Sequence, residues 1–143
     1  MTTTKTAADT LNSLLRGELA ATETYQQGLD KVGNDPGAAE LRQIHVDHRE
    51  AANTLRQHIH KLGGKPDQGS GAWGAFAKAV EGAAKLFGNT SALKALKEGE
   101  EHGVKLYEHA LQDAELPAEC QTLVRSKLLP QTRAHISVLD RLL

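Results

Sequence analysis

Aromatic residues are scarce in this chain: one Trp, two Tyr and two Phe among 143 residues. A core with so few rings must be filled by Leu and Ala, which favours closely packed helices over paired sheets. Cysteine is scarcer still. A lone Cys120 excludes an intrachain disulfide framework and any Cys-cluster zinc or iron–sulfur site. No apolar run approaches a membrane span, and the start, MTTTKTAADT, has no signal-peptide core. A cytoplasmic protein with no membrane partner is the expectation. Neither sign of charge dominates: 17 Lys and Arg stand against 18 Asp and Glu, so nothing pulls the chain globally toward nucleic acid. Phosphate-cradling glycine loops, nucleotide or flavin fingerprints and Ser-His-Asp constellations are missing too.

What is present is a helical pattern with seven histidines, on a chain whose length fits a single domain, 1–143. Four long helices and one short one are predicted. The first spans about 7–32, capped by an early Thr, with Leu11, Leu15, Glu18, Thr22, Tyr25 and Leu29 recurring every three or four residues as a bundle seam. Gly33-Asn34 ends it, and Asp35-Pro36 reads as the N-cap and first residue of the second. That helix carries Leu41, Ile44 or His45, His48, Ala52, Leu55, Ile59 and Leu62 on its seam, and Gly63-Gly64 closes it. A loop follows, then a short helix over 72–87 that holds Trp73, Phe76 and Phe87. Capped near Thr90-Ser91, the third long helix runs over 92–113 with Leu93, Leu96, Glu100, Gly103 or Val104, Tyr107 and Leu111 inward. The fourth, 117–142, turns Val124, Leu128, Gln131, His135, Val138 or Leu139 and Leu142 inward. Pro130 lies inside it and predicts a bend or a split.

The first and third helices repeat each other. Gly17-Glu18 with Tyr25 and Leu29 recurs as Gly99-Glu100 with Tyr107 and Leu111, at a constant offset of 82. Two helix hairpins of similar design, joined by a long connection, are implied.

Four seam positions hold groups that do not belong in an apolar core: Glu18, His48, Glu100 and His135. A buried carboxylate must be paired, protonated or bound to a cation. Two Glu and two His at one level fit a metal site, since carboxylate oxygen and imidazole nitrogen serve zinc, iron and manganese. Tyr25 and Tyr107 are placed to hydrogen-bond the carboxylates from behind. The competing reading needs no metal: the glutamates pair with histidine or tyrosine. His45 with His48, Asp47 and Glu50 offers a weak surface chelate. The other five histidines (His45, His58, His60, His102 and His109) read as surface residues, and Cys120 as an ordinary helix residue.

The pattern Leu11…Gly17-Glu18…Tyr25, Leu62-Gly63-Gly64-x-Pro66, Gly69-Ser70, Trp73, Glu98-Gly99-Glu100…Tyr107, Leu116-Pro117 and a late His135 resembles the domain of unknown function 2383 family of the ferritin-like superfamily, from about residue 9 to the end. The resemblance implies an all-α ferritin-like four-helix bundle whose long crossover carries the short extra helix. It aligns Glu18 and Glu100 with the lone glutamates of the superfamily's metal site, and His135 with its fourth-helix histidine. The chain departs from the pattern at Thr132, which stands at the fourth-helix Glu position, and at His48 and Ala51, which stand at the second-helix Glu and His positions. A two-Glu, two-His set for one metal ion, iron or zinc, remains, with iron handling or oxidative chemistry as the implied activity. The alternative is a non-enzymatic structural or interaction protein that has lost the site. Bundles of this class assemble as dimers and larger shells, so a homo-oligomer is a candidate partner, although no extra apolar face marks one.

Overall fold

A computed structural model describes residues 6–32, 37–69 and 90–143, and among these every regular element is helical. Helix α1 (Ala7–Val32) begins with a reciprocal cap. The Asp9 N–H donates to Thr6 Oγ1 at 3.1 Å, and the Thr6 N–H donates to Asp9 Oδ2 at 3.0 Å. Two amides that the first turn leaves without helical partners are thereby satisfied. Helix α2 (Ala38–Lys61) starts later than the sequence suggests. Gly37, in the left-handed region at φ 91°, occupies the N-cap, while Asp35 and Pro36 lie outside the described residues. The predicted helix over 72–87, with Trp73, Phe76 and Phe87, also lies outside them.

Both glycines that close α2 are required, for different reasons. The Gly63 N–H donates to His60 O and the Gly64 N–H to Ile59 O, a double closure that needs a left-handed residue, and Gly63 supplies φ +77°. Gly64 is held to hydrogen by space, since a Cβ there would lie 2.8 Å from Ala8 Cβ. The loop then lies along α1. Asn12 donates to Lys65 O at 3.0 Å and accepts from the Asp67 amide at 2.8 Å, while Arg16 pairs with Asp67.

Helix α3 (Thr90–Ala110) is followed by a turn and by α4 (Ala118–Leu123). From α4 the chain passes through a π-helical turn, Val124–Leu128, into α5 (Leu129–Leu142). That turn lies just N-terminal to Pro130, where the sequence predicts a bend or a split. The proline has no N–H to give and its ring crowds the preceding turn. A wider turn, in which the Leu129 N–H reaches back to Val124 O, absorbs both problems without ending the helix. Gln131, expected inward, is only half-buried, and Thr132 takes the buried position.

The side-chain ties between helices fix their directions. Thr10 meets Asp113 and Tyr25 meets Glu100, so α1 and α3 are antiparallel. Glu18 meets His48 near the middle of the closely packed α1–α2 pair. Lys97 meets Asp140, and Glu108 meets Arg133, so α5 is antiparallel to α3. Asp47 with His135 and Lys61 with Glu119 do the same for α2 and the fourth rod. No helix among the described residues is long and apolar enough to cross a membrane.

Two apolar clusters fill the interior. One gathers Leu11, Leu15, Leu55, Ile59, Tyr107 and Leu128 with their neighbours. The other gathers Tyr25, Leu41, Ile44, Leu93, Leu96 and Leu139. Between them the seams carry the polar residues taken up below.

The two glycines yield a stability test by chemical denaturation. Gly63→Ala should cost about 1–2 kcal/mol through the left-handed backbone penalty. Gly64→Ala should cost about 1–3 kcal/mol through overpacking against α1. Unchanged denaturation midpoints in both variants would contradict the closure described.

Candidate metal centre

Glu18, His48, Glu100 and His135 are all buried, none more than 5% exposed. Each comes from a different helical rod: Glu18 from α1, His48 from α2, Glu100 from α3 and His135 from α5. Their convergence follows from the heptad-like seams, which place one polar residue per helix at mid-height.

His48 stands at the centre. Its Nδ1 donates to Glu18 Oε2 at 2.5 Å, and its Nε2 donates to Glu100 Oε1 at 2.6 Å. Carboxylates only accept, so both ring nitrogens carry hydrogen and the ring is an imidazolium. Burial pushes its pKa down, yet the fields of Glu100 and Glu18 and the two hydrogen bonds win, and the pKa lies well above its ordinary value. Burial likewise drives the Glu100 pKa upward. Against that, the His48 charge and the neighbouring His135 pull it down to about 2.

Each glutamate also takes a tyrosine from the opposite half of the repeat. Tyr25 donates to Glu100 Oε1 at 2.9 Å, and Tyr107 donates to Glu18 Oε1. Both phenols are pushed well above their ordinary pKa, by burial first and then by the carboxylates, so they stay protonated donors. Tyr25 also stacks on His48, with ring centroids 5.4 Å apart.

His135 completes the group. Its Nε2 donates to Asp47 Oδ2 at 2.9 Å. Its Nδ1 is buried and lies 3.3 Å from Glu100 Oε1, within ion-pair range when the ring is protonated, but makes no well-formed hydrogen bond. Thus His48 Nε2, His135 Nδ1 and the phenol of Tyr25 all surround one carboxylate oxygen.

Ligand atoms from His48, Glu100 and His135 lie within 4.8 Å of one another. A first-row ion about 2.0–2.2 Å from each donor spans such a set after small side-chain shifts. The residues fit a metal in two respects. The donor set is two imidazoles and a carboxylate, and the buried His135 Nδ1 is an orphan that a cation would satisfy. Glu18 is placed differently from the other three. It sits on the second nitrogen of His48, just as Asp47 sits on the second nitrogen of His135.

Asp47 is the residue that sequence reasoning undervalued, having been considered only with a surface chelate. Its spacing gives a signal after the fact, because it directly precedes His48 and so faces the neighbouring rod. The surface group of histidines also needs correction. His45 is 9% exposed and buried, with its pKa lowered by burial and by Arg49. His58 lies half-buried, 3.7 Å from Cys120 Sγ. His60, His102 and His109 are exposed as expected.

The ionised network predicts the pH dependence of the metal-free protein. A raised His48 pKa contributes stability that is complete below about pH 6.5 and lost as pH rises through the folded value. A depressed Glu100 pKa contributes stability present above about pH 4.5 and lost as pH falls toward about 2. Stability should therefore peak between these limits, and the alkaline loss should vanish in His48→Gln. A flat profile from pH 6 to pH 9 would contradict the clamp. Glu100→Ala leaves His48 with one partner and should cost about 3–5 kcal/mol.

No curated protein and no solved structure matches the chain. The family model of the domain of unknown function DUF2383 matches residues 6–113. The chain belongs to the DUF2383 family.

Proposed function

We propose that this protein is a ferritin-like bundle that holds one divalent transition-metal ion, iron or zinc, on His48, Glu100 and His135. The parallel course of α2 and α3, both antiparallel to α1, is the helix arrangement such a bundle requires. The observation that carries the metal reading is the convergence of three buried donors within 4.8 Å of one another, one of them without a hydrogen bond.

In this reading Glu18 is a positioning residue rather than a ligand. It fixes the His48 ring through Nδ1 and leaves Nε2 for the ion, while Asp47 fixes His135 through Nε2 and leaves Nδ1. Tyr25 and Tyr107 hold the two carboxylates. Two imidazoles and one carboxylate suit iron(II) and zinc alike. When bound, such an ion supplies Lewis acidity and, if iron, one-electron redox chemistry. The chain's own contribution is to exclude water with two apolar clusters and to release the His48 proton as the ion enters, since a protonated nitrogen cannot be a ligand.

Elemental analysis tests the reading. Purified protein should carry about one ion per chain, and Glu18→Ala combined with Glu100→Ala should carry none. Metal at 100 times its Kd should raise wild-type stability by about 2.7 kcal/mol, reversed by chelator, and leave the double variant unmoved. Equal traces of metal in both proteins, with a wild-type stability that responds to neither added metal nor chelator, would favour a purely structural network.

A further inference from the structure

One cavity touches the cluster. It holds about 30 Å³ and lies between α1 and α3, bounded by His48, both glutamates, both tyrosines and Thr132. That space is of the size that one or two water-sized molecules need. The wall is kept open by residues without side chains: Gly17, Gly99 and Gly103 line it, one pair of them from the sequence repeat.

The cavity's hydroxyls are already committed. Tyr25 donates to Glu100 and Tyr107 to Glu18. Thr24 donates to Ala20 O at 2.7 Å, and Thr132 to Leu128 O at 2.8 Å. Leu14, Leu96 and Leu106 supply apolar wall. A hydrated or strongly hydrogen-bonding guest therefore finds no hydroxyl donor there. Two of the three proposed metal donors, His48 and Glu100, border the same space. Three protein donors leave further coordination positions to be filled from outside.

We infer that this cavity is the seat of a small exogenous metal ligand, a weakly hydrated molecule of two or three heavy atoms, and that Gly103 sets its size limit. The inference rests on the metal reading above. The ligand is recognised by the ion alone, because the hydroxyls around it are spent on holding the glutamates and the helix backbone.

Ferrous-loaded protein exposed to nitric oxide under anaerobic conditions tests this, read by electron paramagnetic resonance alongside iron content. Wild type should bind both iron and nitric oxide. Imidazole, with five heavy atoms, should not compete. Gly103→Val should keep its iron and lose nitric oxide affinity by about tenfold or more. Gly103→Ala serves as a milder variant, since its Cβ would sit 3.5 Å from Thr132 Cγ2, an ordinary contact, and it should show a smaller loss. Iron retained without any nitric oxide signal overturns this inference and leaves the metal reading standing. An equal response in wild type and both Gly103 variants overturns the assignment to this cavity. Failure of wild type to hold iron, zinc or any other divalent ion overturns the metal reading and this inference together.

Discussion

The structure depends on one buried cation held between two buried anions. His48 reaches Glu18 with one ring nitrogen and Glu100 with the other, and so joins α2 to α1 and to α3 at mid-height. Removing any of the three leaves an uncompensated charge in a medium where each ion costs several kcal/mol to desolvate. The clamp therefore dictates helix rotation more strictly than the leucines can. A leucine seam tolerates small rotations, whereas a hydrogen bond of normal length does not. It also separates the core into two apolar clusters, each containing one of the two tyrosines. Tyr107 lies in one and Tyr25 in the other, and each hands its hydroxyl to the central layer.

That exchange explains the internal repeat. Read along the chain, the Glu and Tyr of one helix look like partners seven residues apart. In the fold they are not partners. Tyr25 serves Glu100, and Tyr107 serves Glu18, because α1 and α3 run antiparallel and the offset pairs them crosswise. The repeat is a way of building one approximately two-fold layer from two copies of a short segment. Gly17 and Gly99 repeat with it, beside the glutamates, where they line the cavity.

Much of this was legible because it is local. The bounds of α1, its Thr6 cap, the Gly63-Gly64 closure and the four polar seam residues follow from periodicity and capping chemistry within a few turns. The family resemblance read from the same residues agrees with the DUF2383 match. The parts not legible depend on relations between helices. Asp47 looks like a surface residue until α5 is packed beside it. Thr132 rather than Gln131 takes the buried place between Leu128 and His135, and a count of threes and fours does not decide between those two spacings. Which nitrogen of His48 faces Glu18 is likewise a relation between helices, and seam position alone does not give it.

The arrangement of charge bears on why the clamp exists at all. A buried ion pair is seldom the most stable filling for a core, and well-packed leucines of similar volume do as well or better. A bundle selected only to stand upright has little reason to keep three carboxylates, Glu18, Glu100 and Asp47, around two imidazoles. In the metal-free state the two N–H groups of the protonated His48 ring hold two of those carboxylates together. On the proposed metal reading, exchanging one of those protons for a divalent ion would add one further positive charge to a layer rich in carboxylates and give His135 Nδ1 a partner. On that reading the proton-bound clamp is a preorganised stand-in: it keeps Glu100 and His48 within 2.6 Å, and it keeps both rings oriented by their backing carboxylates.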